Sequence, residues 1–236
     1  MINHLDVAEQ EIKNSSYINE QFSERINLFN RCYDLFLESI SESQFKLDNK
    51  EDRDFHRVYL TMCMKINFDI RVILNATKSG WFGTAHVIFR EINDSFLKIA
   101  LIAQQPENAS LIINGKMNDK SAKKKAKQHG IISLLSPQAW GFLSNVKHAE
   151  GENIIAVYGG ENSRLRFFPI LLEEEIEPTL IYASGVILNV AETYMKFHIK
   201  RYGNHFIMVS FPVNVDQASI EIKKLISKQL FRSVRS

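Results

Sequence analysis

The sequence predicts a mainly α-helical fold: an antiparallel helical bundle with a small β-hairpin or flap. Long stretches carry apolar residues at spacings of three and four, which is the helical period. Only 10 glycines and 5 prolines interrupt the 236 residues, and two late segments have patterns typical of strands. We expect a single helical domain over 1–236, with its core at about 50–202, an N-terminal helix at about 6–43 and a C-terminal β segment plus helix at 206–234.

The predicted centre of the bundle is a pair of long helices, at 52–77 and 81–105. Apolar residues of the first helix cover more than one stripe, which predicts contacts on two sides. Met64 and Phe68 are among the side chains that we expect to pack there. Gly80 suits the left-handed cap that ends this helix. Because the connection is so short, the two helices should form an antiparallel hairpin.

Further helices are predicted on both sides of this hairpin. The N-terminal helix at 6–43 precedes it, and lysine-rich short helices follow it. Pro178 suits the first turn of a later long helix, and Asp216 is expected to cap the last one. The predicted helices after the hairpin occupy 109–116, 120–129, 131–149, 177–202 and 216–232.

Two segments are predicted to be extended. Residues 154–168 combine β-branched side chains with a Gly159–Gly160 turn, which is typical of a β-hairpin. Residues 206–215 alternate between two faces as a strand does. These two segments could pair with each other.

Composition excludes several classes of protein. The chain has 29 Lys plus Arg against 27 Asp plus Glu, so its net charge of +2 is no global signature of nucleic-acid binding. No export signal begins the chain and no apolar run approaches the roughly 20 residues of a membrane span, so we expect a cytoplasmic protein that does not enter the membrane. Cys32 and Cys63 are expected to be buried core residues. No cofactor or metal is implied, because glycine-rich phosphate loops and metal-ligand spacings are lacking.

One polar stripe lies on the second helix of the hairpin. His86, Arg90 and Asp94 are spaced four apart and therefore share one face beside the apolar face. Burying these groups is costly unless each is paired. The stripe is either a polar cleft between helices or an ordinary Arg–Asp ion pair with His86 at the surface.

A second polar pair lies in the predicted helix at 131–149. Ser144 and His148 are one helical turn apart, near the end of that helix. His148 could act as an acid, a base or a hydrogen-bond donor. Alternatively, it only favours the negative end of the helix.

The two polar features together resemble a protein family. Arg90 and Asp94 followed by Ser144 and His148 are similar to an Arg-x-x-x-Glu helix followed by a Ser-x-x-x-His helix in a broad group of uncharacterised bacterial all-helical domains. The resemblance covers about 50–200, and this group is distantly HEPN-like and abortive-infection-like. It implies a helical protein that is an RNase or a partner of nucleases in phage defence.

The chain departs from this family pattern at two places. Asp94 stands where the group has Glu. The usual HEPN motif has four to six residues between Arg and His, whereas only three separate Arg201 from His205. The resemblance without that motif favours a non-catalytic protein.

The third feature is a lysine-rich segment at 116–129. Four of its lysines would form one helical face able to bind the phosphate backbone of RNA or DNA without reading sequence. The alternative is a solvated helix that keeps the surface soluble, since the segment has no aromatic residues for base stacking. The four lysines are Lys120, Lys123, Lys124 and Lys127.

The leading functional hypothesis is a non-catalytic interaction or accessory subunit of a bacterial defence or toxin-type system, with a protein partner and with self-association left open. The first alternative is an RNA-binding or RNA-cleaving protein, and only this enzyme hypothesis makes four of the polar residues catalytic. The second alternative is a sensor of a small anionic ligand, bound by His86, Arg90 and His148. The candidate catalytic residues are Arg90, Asp94, Ser144 and His148.

Overall fold

The computed structural model describes residues 4–41, 50–134, 169, 171–202 and 210–233, and over these ranges the protein is mainly α, as predicted. Eight helices occupy the described residues, and no strand occurs among them. The helices are α1 (His4–Gln21), α2 (Ser23–Ser41), α3 (Lys50–Ser79), α4 (Phe82–Gln104), α5 (Asn108–Ile113), α6 (Asp119–Gln128), α7 (Glu173–Tyr202) and α8 (Ser210–Ser233).

The α3–α4 hairpin forms as the sequence predicts. Gly80 adopts a φ of 88°, in the left-handed region that glycine enters without steric cost. Its N–H donates to the Thr77 carbonyl at 3.1 Å, which closes the last turn of α3. Farther along the hairpin, Lys65 of α3 forms an ion pair with Glu91 of α4 at 3.4 Å. The two helices therefore run antiparallel and side by side.

Side chains from all eight helices contribute to one buried apolar cluster. Two aromatic stacks join α3 to α7: Phe55 lies 4.1 Å from Phe197, and Tyr59 lies 4.1 Å from Tyr194, between ring centroids. Helix α2 packs along α7, so these two long helices join the α3–α4 hairpin in the bundle.

The single N-terminal helix predicted at 6–43 is wrong. The chain turns at Phe22, whose N–H still bonds to Ile18 while its carbonyl accepts from Arg25 and Ile26. The turn allows α1 and α2 to pack on different neighbours. Asn14 of α1 donates to the last carbonyl of α3, whereas α2 lies against α7. Apolar periodicity indicates a helix, but it does not show the residue at which the chain stops packing on one helix and begins to pack on another.

The strand predicted at 206–215 is wrong where the structure describes it, because α8 begins at Ser210. Pro212 lies in its first turn, where a missing N–H costs no hydrogen bond. Asp216 is consequently inside α8 and does not cap it. Residues 206–209 and the β-hairpin predicted at 154–168 lie outside the described residues.

The starts of two other predicted helices also change. Helix α7 begins at Glu173, so Pro178 lies inside it and not in its first turn. Three glutamates in the first turn favour this earlier start through the positive helix end. Residues 131–134 are not helical, and the rest of the helix predicted at 131–149 lies outside the described residues. Within the described helices, none is long and apolar enough to cross a bilayer.

Candidate functional site

Helix α6 is fixed in one orientation by its cap and its small apolar face. Asn118 precedes the helix, and its side-chain oxygen accepts from the Ser121 N–H at 2.9 Å. Ala122 and Ala126 are four residues apart and 1% exposed, and α6 packs on α4. Because these alanines face inward, the opposite side of α6 faces solvent.

The four lysines that the sequence grouped do share one side of α6. Lys120, Lys124 and Lys127 are exposed, while Lys123 is half-buried at the edge of the alanine face. A fifth lysine of the helix lies on the other edge, where Lys125 Nζ donates to Asn108 Oδ1 at 3.0 Å. The outward side of α6 therefore presents a row of ammonium groups, which we call the lysine face (Lys120, Lys123, Lys124 and Lys127).

The negative charge of α6 is already neutralised. Asp119 is the helix's one acidic residue, and its Oδ1 lies 2.5 Å from Nζ of Lys98 on α4. The side chain of Lys98 is only 17% exposed, so this ion pair is partly shielded from solvent. The pair ties the start of α6 to α4 and leaves the lysine face without a carboxylate from its own helix.

The polar stripe on α4 is an ion pair, but a buried one. Arg90 Nε lies 3.9 Å from Asp94 Oδ2, and the two side chains are 10% and 9% exposed. Desolvating charges to this extent is expensive, and their mutual attraction offsets part of the cost. The structure therefore contains the Arg–Asp ion pair of one interpretation. It also buries that pair between helices, as the polar-cleft interpretation predicts.

His86 lies one turn earlier on the same stripe and reaches across to α7. Its Nε2 is 3.5 Å from Oε2 of Glu175, and its side chain is 29% exposed. Burial lowers the pKa of His86 below its usual 6.5, and the neighbouring Glu175 carboxylate opposes that shift only in part. His86 is therefore a partly buried contact between α4 and α7, not a freely solvated side chain.

The lysine face and the polar stripe meet between α6 and α4. Burial is the main cause that lowers the pKa of Lys123, followed by the opposing effects of Asp94, which raises it, and Arg90, which lowers it. Because α6 packs on α4, Asp94 and Arg90 both act electrostatically on the Lys123 ammonium. Two features about 30 residues apart in sequence thus meet at this contact between helices.

The chain beyond α6 is held to the same part of α4. Asn93 is fully buried, and its Oδ1 accepts from the Ser133 hydroxyl at 2.8 Å and the Leu134 N–H at 2.9 Å. Ser144 and His148 lie outside the described residues. Their predicted place beside Arg90 and Asp94 stays a prediction.

One exposed surface contradicts an expectation from the sequence. Met64 is 73% exposed and Phe68 is 68% exposed, although both were expected to pack. The neighbours of α3 cover its other sides, and these two residues lie on the strip that remains. Their alignment with Arg57 and Arg71, at helical spacing, was the sequence signal for a solvent-facing stripe.

No protein-family model, curated protein or solved structure matches this chain. The similarity to the HEPN-like group therefore stays a prediction. No cluster of three or more His, Cys, Asp or Glu side chains suited to a metal ion occurs in the part of the chain that the structure describes.

Proposed function

We propose that this chain is a non-catalytic accessory protein that holds the phosphate backbone of RNA on the lysine face of α6. One observation supports the proposal above the others. The exposed ammonium groups of Lys120, Lys124 and Lys127 lie on one side of a helix whose own carboxylate is neutralised by Lys98. Such a side attracts polyanions whatever the net charge of the molecule.

The lysine face suits phosphate contacts better than base recognition. Lysine is a flexible point charge, and α6 has no aromatic side chain on which a base could stack. From Lys120 to Lys127 the helix rises about 10 Å, at 1.5 Å per residue, which matches about three phosphates of a stacked strand. We therefore expect binding that depends strongly on salt and weakly on nucleotide sequence.

The accessory role is a second part of the proposal. The HEPN-like resemblance favours RNA over DNA as the polyanion. Only three residues separate Arg201 from His205, so the usual catalytic spacing of that group is missing. A defence or toxin-type system, in which a partner supplies the nuclease, is the setting that this combination favours.

The binding test is fluorescence anisotropy with a short labelled single-stranded RNA at low salt. The triple variant Lys120→Gln/Lys124→Gln/Lys127→Gln should bind on the order of tenfold more weakly or worse, because it loses three phosphate contacts. A matched control replaces three exposed lysines of other helices, Lys13→Gln/Lys196→Gln/Lys224→Gln, and changes the net charge equally. Equal loss in both variants, or no binding by the unmodified protein, would contradict the proposal.

The absence of catalysis has its own test. Purified protein incubated with total RNA should leave the RNA intact, and His148→Ala should behave in the same way. Cleavage that disappears in His148→Ala would support the enzyme alternative instead. Thermal stabilisation by a mononucleotide without RNA binding would favour the small-anion sensor.

A further inference from the structure

Helix α3 presents a solvent-facing stripe that combines apolar and cationic side chains. Met64 and Phe68 form its centre, with 73% and 68% of their surfaces exposed. No described residue forms an ion pair with Arg57 or Arg71, which flank that centre. The α3 stripe, none of whose members is acidic, consists of Arg57, Thr61, Met64, Phe68, Arg71 and Asn75.

Exposed methionine, phenylalanine and arginine on one stripe are typical of a protein interface. These three residue types are enriched where proteins meet, and large apolar side chains are seldom left in solvent together. A nucleic acid is a poorer fit, since Phe68 is the one aromatic ring of the stripe and methionine gives no stacking surface. The occupant should therefore be a protein helix with apolar and acidic side chains.

The same chain carries such a helix. On α1, Leu5 and Ile12 are 66% and 67% exposed and lie two turns apart. Helix α1 contains four carboxylates and one lysine, and Glu9 lies beside the apolar pair. We call this the α1 face (Leu5, Ile12 and the adjoining Glu9). Glu9 pairs with Lys13 at 2.7 Å, so the charge opposite to that of the α3 stripe belongs to α1 as a whole.

The α1 face cannot reach the α3 stripe within one molecule. The opposite side of α1, with Asn14 2% exposed and Ile18 fully buried, packs against its own protein. Asn14 binds the carbonyl of Ser79 at the end of α3 and so fixes α1 in that place. Both the α1 face and the α3 stripe point away from this contact into solvent.

We propose that the α1 face of one copy docks on the α3 stripe of a second copy. Ile12 and Leu5 would cover Met64 and Phe68, and the exposed carboxylates of α1 would face the arginines. The stripe from Arg57 to Arg71 is about 21 Å long and α1 is about 27 Å long, at 1.5 Å per residue, so one helix can lie along the other. Because the two faces differ, the contact is heterologous, and it closes as a dimer only when both copies exchange it.

Sedimentation equilibrium across a wide concentration range tests self-association. The mass should rise above the chain mass of 27.2 kDa as concentration increases. Either Met64→Gln/Phe68→Gln or Leu5→Gln/Ile12→Gln should weaken association by about tenfold or more, because truncated central apolar contacts dominate such losses. The matched control is Val213→Gln/Ile220→Gln on α8, whose side chains are 53% and 52% exposed, and it should associate like the unmodified protein.

Mixing the two association-deficient variants gives the decisive result. The α1 variant keeps an intact α3 stripe, and the α3 variant keeps an intact α1 face, so the mixture should associate more strongly than either variant does alone. Unchanged helical content and melting temperature would show that the exposed substitutions leave the fold intact. A mass of 27.2 kDa at every concentration, equal weakening by the α8 control, or a mixture that does not associate would overturn the proposal.

Discussion

At the scale of single residues, burial decides which ionisable groups are available for chemistry. Lys120, Lys124 and Lys127 keep their ammonium groups in water. Lys123 and His86 are partly desolvated, and the pKa of each is lowered mainly for that reason. Lysine thus serves as a solvated charge on the outer side of α6 and as a partly buried contact where α6 meets α4.

The two cysteines should be inert in the folded protein. Cys32 and Cys63 are fully buried, and burial raises the pKa of each thiol to about 12. The thiolate is the reactive form, so both access and ionisation oppose reaction. Ellman's reagent should modify neither thiol under native conditions at a rate faster than unfolding, and both in denaturant. Rapid native modification at neutral pH would contradict the placement of α2 and α3.

His86 should make the fold less stable in mild acid. Its pKa is lowered in the folded state from 6.5, so the unfolded chain binds the proton more readily. The stability that neutral His86 contributes is present above about pH 6.5 and is lost as the pH falls toward the lower folded-state pKa. In urea unfolding at about pH 7.5 and about pH 5.5, His86→Gln should lose less stability on acidification than the unmodified protein does.

An exposed histidine supplies the control for that experiment. His4→Gln should retain the pH dependence of the unmodified protein, because His4 lies at the solvent-exposed start of α1. If His86→Gln lost as much stability on acidification as His4→Gln does, that result would contradict the partly buried contact of His86 between α4 and α7.

At the scale of the helices, the ends decide the architecture. Gly80 ends α3 in a left-handed conformation with φ 88° and turns the chain directly into α4. Gly185 lies within α7, where a Cβ atom would meet Ile222 Cγ2 at 3.7 Å, an ordinary contact distance. Gly80 therefore permits the turn that ends its helix. Gly185 lies inside a helix, where it adds only backbone freedom to the chain.

Alanine at these two positions should change stability in opposite directions. Gly80→Ala should lower the free energy of unfolding by about 1–2 kcal/mol, the cost of a left-handed L-residue. Gly185→Ala should raise it by about 0.5–1 kcal/mol, because alanine favours a helix interior and the site accommodates a methyl group. Chemical denaturation of both variants measures the two shifts. A neutral Gly80→Ala would contradict the strained turn.

The sequence predicted helices best where local chemistry fixed their ends. The α3–α4 hairpin follows from Gly80 and from apolar periodicity, both of which are local properties. From Ser210 onward the strand predicted at 206–215 is a helix, because a short alternating apolar run is compatible with either period and Pro212 fits a helix start equally well. Phe22 breaks the N-terminal helix because α1 and α2 pack on different partners, which no local pattern records.

The sequence predicted the groups of residues in the candidate site, but it did not predict how the helices that carry them pack together. The spacing of Lys120, Lys123, Lys124 and Lys127 predicted one face, and the structure places them on one side of α6. The electrostatic effect of Arg90 on Lys123 depends on how α6 packs on α4, which is a tertiary contact. The exposure of Phe68 was missed because apolar identity favours burial, while the neighbours of α3 determine which side stays open.

At the scale of the whole molecule, a nearly neutral chain separates its charges into distinct surfaces. The net charge is +2, yet the lysine face and the α3 stripe are both cationic and α1 is acidic. Local fields of this kind steer binding even when the total charge is small. We propose RNA phosphates as the ligand of the lysine face and a second copy as the partner of the α3 stripe, so variants of one surface should leave the function of the other intact.

The salt dependence of RNA binding measures how many phosphates the lysine face contacts. With three or four phosphate contacts, the logarithm of the association constant should fall with the logarithm of salt concentration at a slope of about −2 to −3, a roughly 20- to 50-fold loss from about 50 to about 200 mM salt. In the triple variant Lys120→Gln/Lys124→Gln/Lys127→Gln the slope should become shallower and lie between about −1 and 0. The control variant Lys13→Gln/Lys196→Gln/Lys224→Gln should retain the slope of the unmodified protein. An undiminished slope and affinity in the α6 variant would contradict the assignment of phosphate binding to α6.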